Sequence, residues 1–110
     1  MSLDNIRSVD CLGISKADDA AILTLFDGDD WDDEMQHLYA LQEKINAYFE
    51  FIQSGQIYQT YPEAIGRALR IEVIHRCELP EHGKRLLAMA NSAAAQLNAT
   101  VIAEHKPRFR

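Results

Sequence analysis

The sequence predicts an α+β fold: a two-layer sandwich in the order β-β-α-β-α-β, with a four-stranded sheet and both helices on one face. Three observations predict it. Four short runs are rich in Ile, Val and Leu, one long stretch repeats apolar residues at helical spacing, and an alanine-rich stretch lies between the last two apolar runs. At 110 residues, with 47% hydrophobic and 25% charged residues, the chain fits a single globular domain over residues 1–110 with its own core.

Ile6 to Ile14 reads as the first strand. Lys16-Ala17-Asp18-Asp19 is a turn signal, and Ala21 to Phe26 is the second strand, so the two form a hairpin. The long helix is expected to start at Asp30–Asp32 and run to about Ser54. Leu38, Leu41, Ile45, Tyr48, Phe49 and Ile52 recur every three or four residues and give it one apolar face. Acidic residues at its start suit free N–H groups and the helix dipole, and Gly55 suits the left-handed position beyond its end.

Gln56 to Gly66 is a connector in which Pro62 turns Tyr61 away from helical geometry. It holds either a short extended piece or one helical turn. Leu69 to Cys77 alternates as a third strand, and Pro80 opens a second helix from Glu81 to about Asn98. That helix would bury Leu86, Ala90, Ala93 and Leu97. Thr100 to Glu104 is the fourth strand, and the basic end of the chain, residues 106–110, is expected to fray with His105 before it. If the last two strands are parallel, the second helix is a right-handed crossover.

Composition narrows the function classes. A net charge of −6 argues against nucleic-acid binding, which needs clustered Lys and Arg. No apolar run is long enough for a membrane span, and no basic-then-apolar leader opens the sequence, so a cytoplasmic location is expected. Cys11 and Cys77 lie far apart without a CxxC partner and read as reduced thiols, with a bridge open only if the first and third strands are neighbours. Charge is uneven: residues 1–63 hold 13 acids against 3 Lys/Arg, whereas residues 64–110 hold 4 acids against 8.

Six of the eight residues from Asp27 to Glu34 are acidic, yet the calcium-loop pattern of alternating ligands with Gly at six and Glu at twelve is absent. Capping and solubility account for most of these acids. Glu34 falls within the apolar stripe, between Trp31 and Leu38, with His37 on its border. A carboxylate there departs from amphipathic design, and such departures mark sites. Either Glu34 and His37 share a proton at a pocket walled by Trp31, or Glu34 bonds to backbone or Arg groups beyond the sheet edge. One His with one Glu does not fill a metal site, so neither metal nor cofactor is expected. Lys44 lies on the flank of the same helix, while Tyr58 and Tyr61 either close a pocket against it or cover the core edge. No nucleophile motif, phosphate loop or dinucleotide fingerprint is present.

The runs Asp30-Trp31-Asp32-Asp33-Glu34, His37-Leu38, Leu41-Gln42-Glu43-Lys44-Ile45-Asn46-Ala47-Tyr48, Phe51-Ile52 and Ser54-Gly55 resemble a small bacterial family of unknown function. Val9-Asp10-Cys11-Leu12-Gly13-Ile14, Tyr61-Pro62-Glu63-Ala64 and Arg70-Ile71-Glu72-Val73 are similar to other segments of that family. The resemblance implies a bacterial cytosolic protein and supplies no activity. Two expectations follow. One is a non-enzymatic binding domain, with a protein partner or a second copy meeting the acidic and aromatic start of the helix. The other is a small enzyme or ligand-binding protein with its site at Trp31, Glu34 and His37.

Overall fold

The computed structural model describes residues 11–108. Among them a four-stranded mixed sheet and three α-helices make an α+β structure, with principal extents of 40 × 25 × 22 Å. Strand β1 (Cys11–Ile14) pairs antiparallel with β2 (Ala21–Asp27). The earlier part of the expected first strand lies outside the described residues. Strand β3 (Leu69–His75) is parallel to β2, and β4 (Ala99–His105) is parallel to β3, giving the spatial order β1-β2-β3-β4. Because β2 separates β1 from β3, the arrangement that would bring Cys11 to Cys77 is not met, and both cysteines are free.

Helix α1 (Glu34–Gln53) begins where its chemistry directs. The Asp33 side chain accepts the Gln36 N–H at 3.2 Å, and Glu34 sits in the first turn, where the dipole favours a carboxylate. Beyond Ser54, Gly55 takes φ +83°, the left-handed conformation that glycine adopts without strain. The connector takes the helical of its two expected forms, with a short helix α2 (Gln56–Thr60) and a 3-10 turn at Pro62–Ala64 that the expected order β-β-α-β-α-β does not include. Helix α3 (Glu81–Ala94) is shorter than expected. It tightens into a 3-10 turn at Ala95–Leu97, and Asn98 in left-handed geometry (φ 56°) turns the chain into β4.

Alternation along the strands places the core. Ala21, Leu23 and Leu25 of β2, Leu69, Ile71 and Val73 of β3, and Ala99 and Val101 of β4 form one buried cluster. Leu41, Ile45, Tyr48 and Ile52 of α1 and Leu87, Ala90 and Ala94 of α3 complete it. Tyr48 also donates its hydroxyl to the Thr24 carbonyl at 2.9 Å, joining α1 to β2.

Both long helices are rotated from the faces expected. Helix α1 buries His37 and Lys44 in line with Leu41, Ile45, Tyr48 and Ile52, while Leu38 and Phe49 stay partly exposed. Helix α3 buries Leu87 and Ala94, and Ala93 faces outward. The tail is shorter than expected too. His105 belongs to β4, and the Lys106 N–H still bonds to the His75 carbonyl at 2.9 Å. No helix among the described residues is long and apolar enough to cross a membrane.

Candidate functional site

The parallel strands β2, β3 and β4 end in register on Asp27, His75 and His105. Asp27 continues the Ala21-Leu23-Leu25 alternation, so the period of two carries its carboxylate onto the core face. It is 1% exposed. The first turn of α1 sets His37, 6% exposed, in front of it, with Nε2 2.7 Å from Asp27 Oδ2. The other ring nitrogen, Nδ1, lies 2.7 Å from the Asp30 carbonyl. The second Asp27 oxygen accepts the Asp29 N–H at 3.2 Å.

Both ring nitrogens of His37 thus face oxygen acceptors. A carbonyl only accepts, so Nδ1 carries a proton, and a neutral ring would then aim a lone pair at the Asp27 carboxylate. The geometry therefore selects an imidazolium donating to a carboxylate. Burial opposes that charge, but the hydrogen bond and charge of Asp27 outweigh it. With the Asp30 carbonyl and the charge of Asp29 added, the His37 pKa rises above its ordinary value of 6.5.

Trp31 covers this pair. Its ring stacks on His37 with centroids 3.5 Å apart and planes 12° apart, an arrangement that favours a cationic imidazole. The indole edge reaches Gly83 in the first turn of α3, where an added Cβ would stand 3.3 Å from Trp31 Cη2. Gly83 therefore lets the indole wedge between the starts of the two long helices. That position leaves Trp31 Nε1 buried without an acceptor, at a cost of about 1–3 kcal/mol.

Glu34 does not join His37. Its Oε2 meets His82 Nδ1 at 2.6 Å, so it joins α1 to α3 on the half-exposed outer side of the same junction. Lys44, expected on a flank, is fully buried in the core stripe two turns beyond His37. Tyr58 and Tyr61 are partly buried and pack against the core cluster past the far end of α1, about 30 Å from its start. The structure thus gathers Trp31 and His37, places Glu34 beside them with a different partner, and sets the two tyrosines at the opposite end.

Asp27, His75 and His82 complete the junction and are not evident from local sequence spacing. The one signal for Asp27 is its odd-numbered place in the strand alternation; His75 and His82 need the register and the helix packing. His75 donates Nδ1–H to the Cys77 carbonyl at 2.8 Å and stacks on His105, whose Nε2–H serves the Arg76 carbonyl at 3.0 Å. Arg76 in turn ties down the β2–α1 loop, through its backbone N–H to the Asp27 carbonyl (2.9 Å) and its Nε to the Gly28 carbonyl (2.8 Å). Among the described residues, no group of three or more His, Cys, Asp or Glu side chains is placed to hold a metal ion.

This cluster can hold a proton and lock two helices to a sheet. Both ring nitrogens of His37 are engaged, one with the Asp30 carbonyl and one with the Asp27 carboxylate.

A second feature lies on the other side of the junction. Between the outer faces of α1 and α3 runs an open groove of about 460 Å³, lined by Met35, Leu38, Tyr39, Leu86 and Met89, with Arg85 on its rim. Met35, Tyr39 and Met89 are 75%, 64% and 70% exposed. Single exposed apolar side chains are ordinary, but three grouped on one groove make a patch.

No curated protein and no solved structure matches this chain. The family profile described as Family of unknown function (DUF6572) matches residues 1–106, nearly the whole sequence, and the chain belongs to that family.

Proposed function

We propose that this protein is a non-enzymatic protein-interaction domain of a bacterial cytoplasmic protein, and that it binds through the groove between α1 and α3. The observation that carries this reading is the exposed Met35–Tyr39–Met89 patch. Methionine and tyrosine are favoured at interfaces because one is flexible and polarisable and the other combines an apolar body with a polar tip.

Topology supports it. The steps from β2 to β3 and from β3 to β4 run in the same direction across the sheet. Right-handed crossovers then carry α1 and α3 over one face, where they make a continuous helical layer. Among the described residues the parallel strands run without a reversal of order, and such reversals are where open α/β sheets form ligand crevices. The enclosed His37 ring, with both nitrogens engaged, gives the alternative site at Trp31, Glu34 and His37 less support.

The test is a photoreactive amino acid placed at Met35 or Met89 in cells that express the protein, with the exposed Gln53 as the control position. Crosslinked protein adducts are expected from the groove and not from residue 53. Equal adduct yield at all three positions would remove the groove from consideration.

A further inference from the structure

Building on that reading of the groove, we infer that its occupant is a second copy of this chain, with α1 of each copy laid along α3 of the other. The argument is charge complementarity between the two sides of the groove. Helices α1 and α3 both start at the carboxyl end of the sheet, after β2 and β3, and the Glu34–His82 contact holds their starts level. On the α1 side the solvent-facing charges at that end include Asp32 and Asp33; on the α3 side Lys84 and Arg85 outnumber the one acid of the first turn, Glu81. Arg85 is held only loosely by Glu81, at 3.9 Å with both side chains well exposed. One edge is therefore acidic and the other carries a net positive charge, with the apolar strip between them.

A two-fold axis running along the groove makes this surface self-complementary. It lays Met35 and Tyr39 of one copy against Leu86 and Met89 of the other. It also brings Asp32 and Asp33 within about one helical turn of the opposing Lys84 and Arg85. An axis across the helices would instead set each acidic start against a far end carrying Gln42, Asn46, Asn91 and Ser92, where no charge answers it. The parallel pairing is the one the charges select.

The size of the contact sets its strength. Helix α3 is 14 residues long. A layer about 20 Å long and two helices wide covers about 400 Å² per copy, less than a stable interface needs and in the range of weak, transient ones. The dimer is therefore reversible and responds to concentration, and high salt weakens it by screening the exposed charges.

Sedimentation velocity on the full chain, from about 5 to 500 µM, tests this. The expected result is a shift from monomer toward dimer with concentration, lost in Met89→Glu. Asp32→Lys and Arg85→Glu should each shift the midpoint upward at least tenfold, and mixing the two variants should restore a dimer, because the reversed charges then face each other. A monomeric mass over the whole range, a dimer untouched by Met89→Glu, or no recovery on mixing overturns the inference. A monomeric chain whose groove still crosslinks to another protein would sink the second copy alone and leave the interaction reading standing. A dimer formed without groove crosslinks would count against both.

Discussion

The two sides of the α1–α3 junction invert the usual arrangement of residues. On the inner side an aspartate and a histidine are sealed from water; on the outer side two methionines and a tyrosine stand in it. The inner pair is satisfied, since each polar atom of Asp27 and His37 described above has a partner. The outer apolar groups stay mostly exposed among the described residues. The contrast shows which departure from amphipathic design points outward. A buried polar group that is fully bonded is complete, whereas an exposed apolar patch still has surface to remove from water.

The largest effect is expected where the inner side is broken. His37→Ala leaves the Asp27 carboxylate buried with no charged partner and removes the ring on which Trp31 stacks. Loss of one member of a buried ion pair costs roughly 3–5 kcal/mol. Urea unfolding should show a midpoint lowered accordingly, with little change in slope. Replacing both partners by leucine should recover most of that loss, because an apolar pair needs no compensation. A single His37→Ala change costing less than about 1 kcal/mol would mean that the pair does not lock the junction.

A smaller effect comes from titrating the same pair. The folded-state pKa of His37 is raised above 6.5, so its imidazolium adds stability that is complete below that value. The contribution drains away as pH rises through the folded-state pKa. Thermal midpoints should therefore fall on the alkaline side of neutrality in the native chain, and this component should vanish in the double leucine variant. Imidazole NMR should show the His37 ring still protonated at pH 6.5. A His37 resonance already neutral at pH 6.5 would contradict the geometry of two donated hydrogen bonds.

Much of the fold is legible in the sequence because it follows from local periodicity. The α1 stripe, the Asp33 cap and the strand alternation of Leu69, Ile71 and Val73 are short-range patterns, and their elements appear where those patterns lie. Tertiary packing decides the rest. A helical projection of α1 places Glu34 in the stripe, but the packed helix turns His37 and Lys44 inward. Asp27 lies ten residues before His37, and Glu34 lies 48 residues before His82. The Asp27-His75-His105 row exists only once parallel register is set. The acidic run from Asp27 to Glu34 looks uniform in sequence, yet the fold gives its members separate tasks. Asp27 is buried against His37, Asp30 and Asp33 cap backbone N–H groups, and Glu34 reaches a second helix.

The smallest stability effect is expected on the outer side, and its smallness separates the two sides. Met35→Lys and Tyr39→Lys change side chains that are mostly in water already. Neither touches the Asp27–His37 pair or the Glu34–His82 contact as a hydrogen-bonding partner. Surface changes of this kind stay within about 0.5 kcal/mol, so dilute-solution unfolding curves should overlay that of the native chain. Self-association, measured on the same samples at high concentration, should nevertheless be lost. Stability unchanged with association lost would separate the groove from the fold. Destabilisation matching His37→Ala would show instead that Met35 and Tyr39 help to hold the helices together, and the division between a locked inner side and an open outer side would fail.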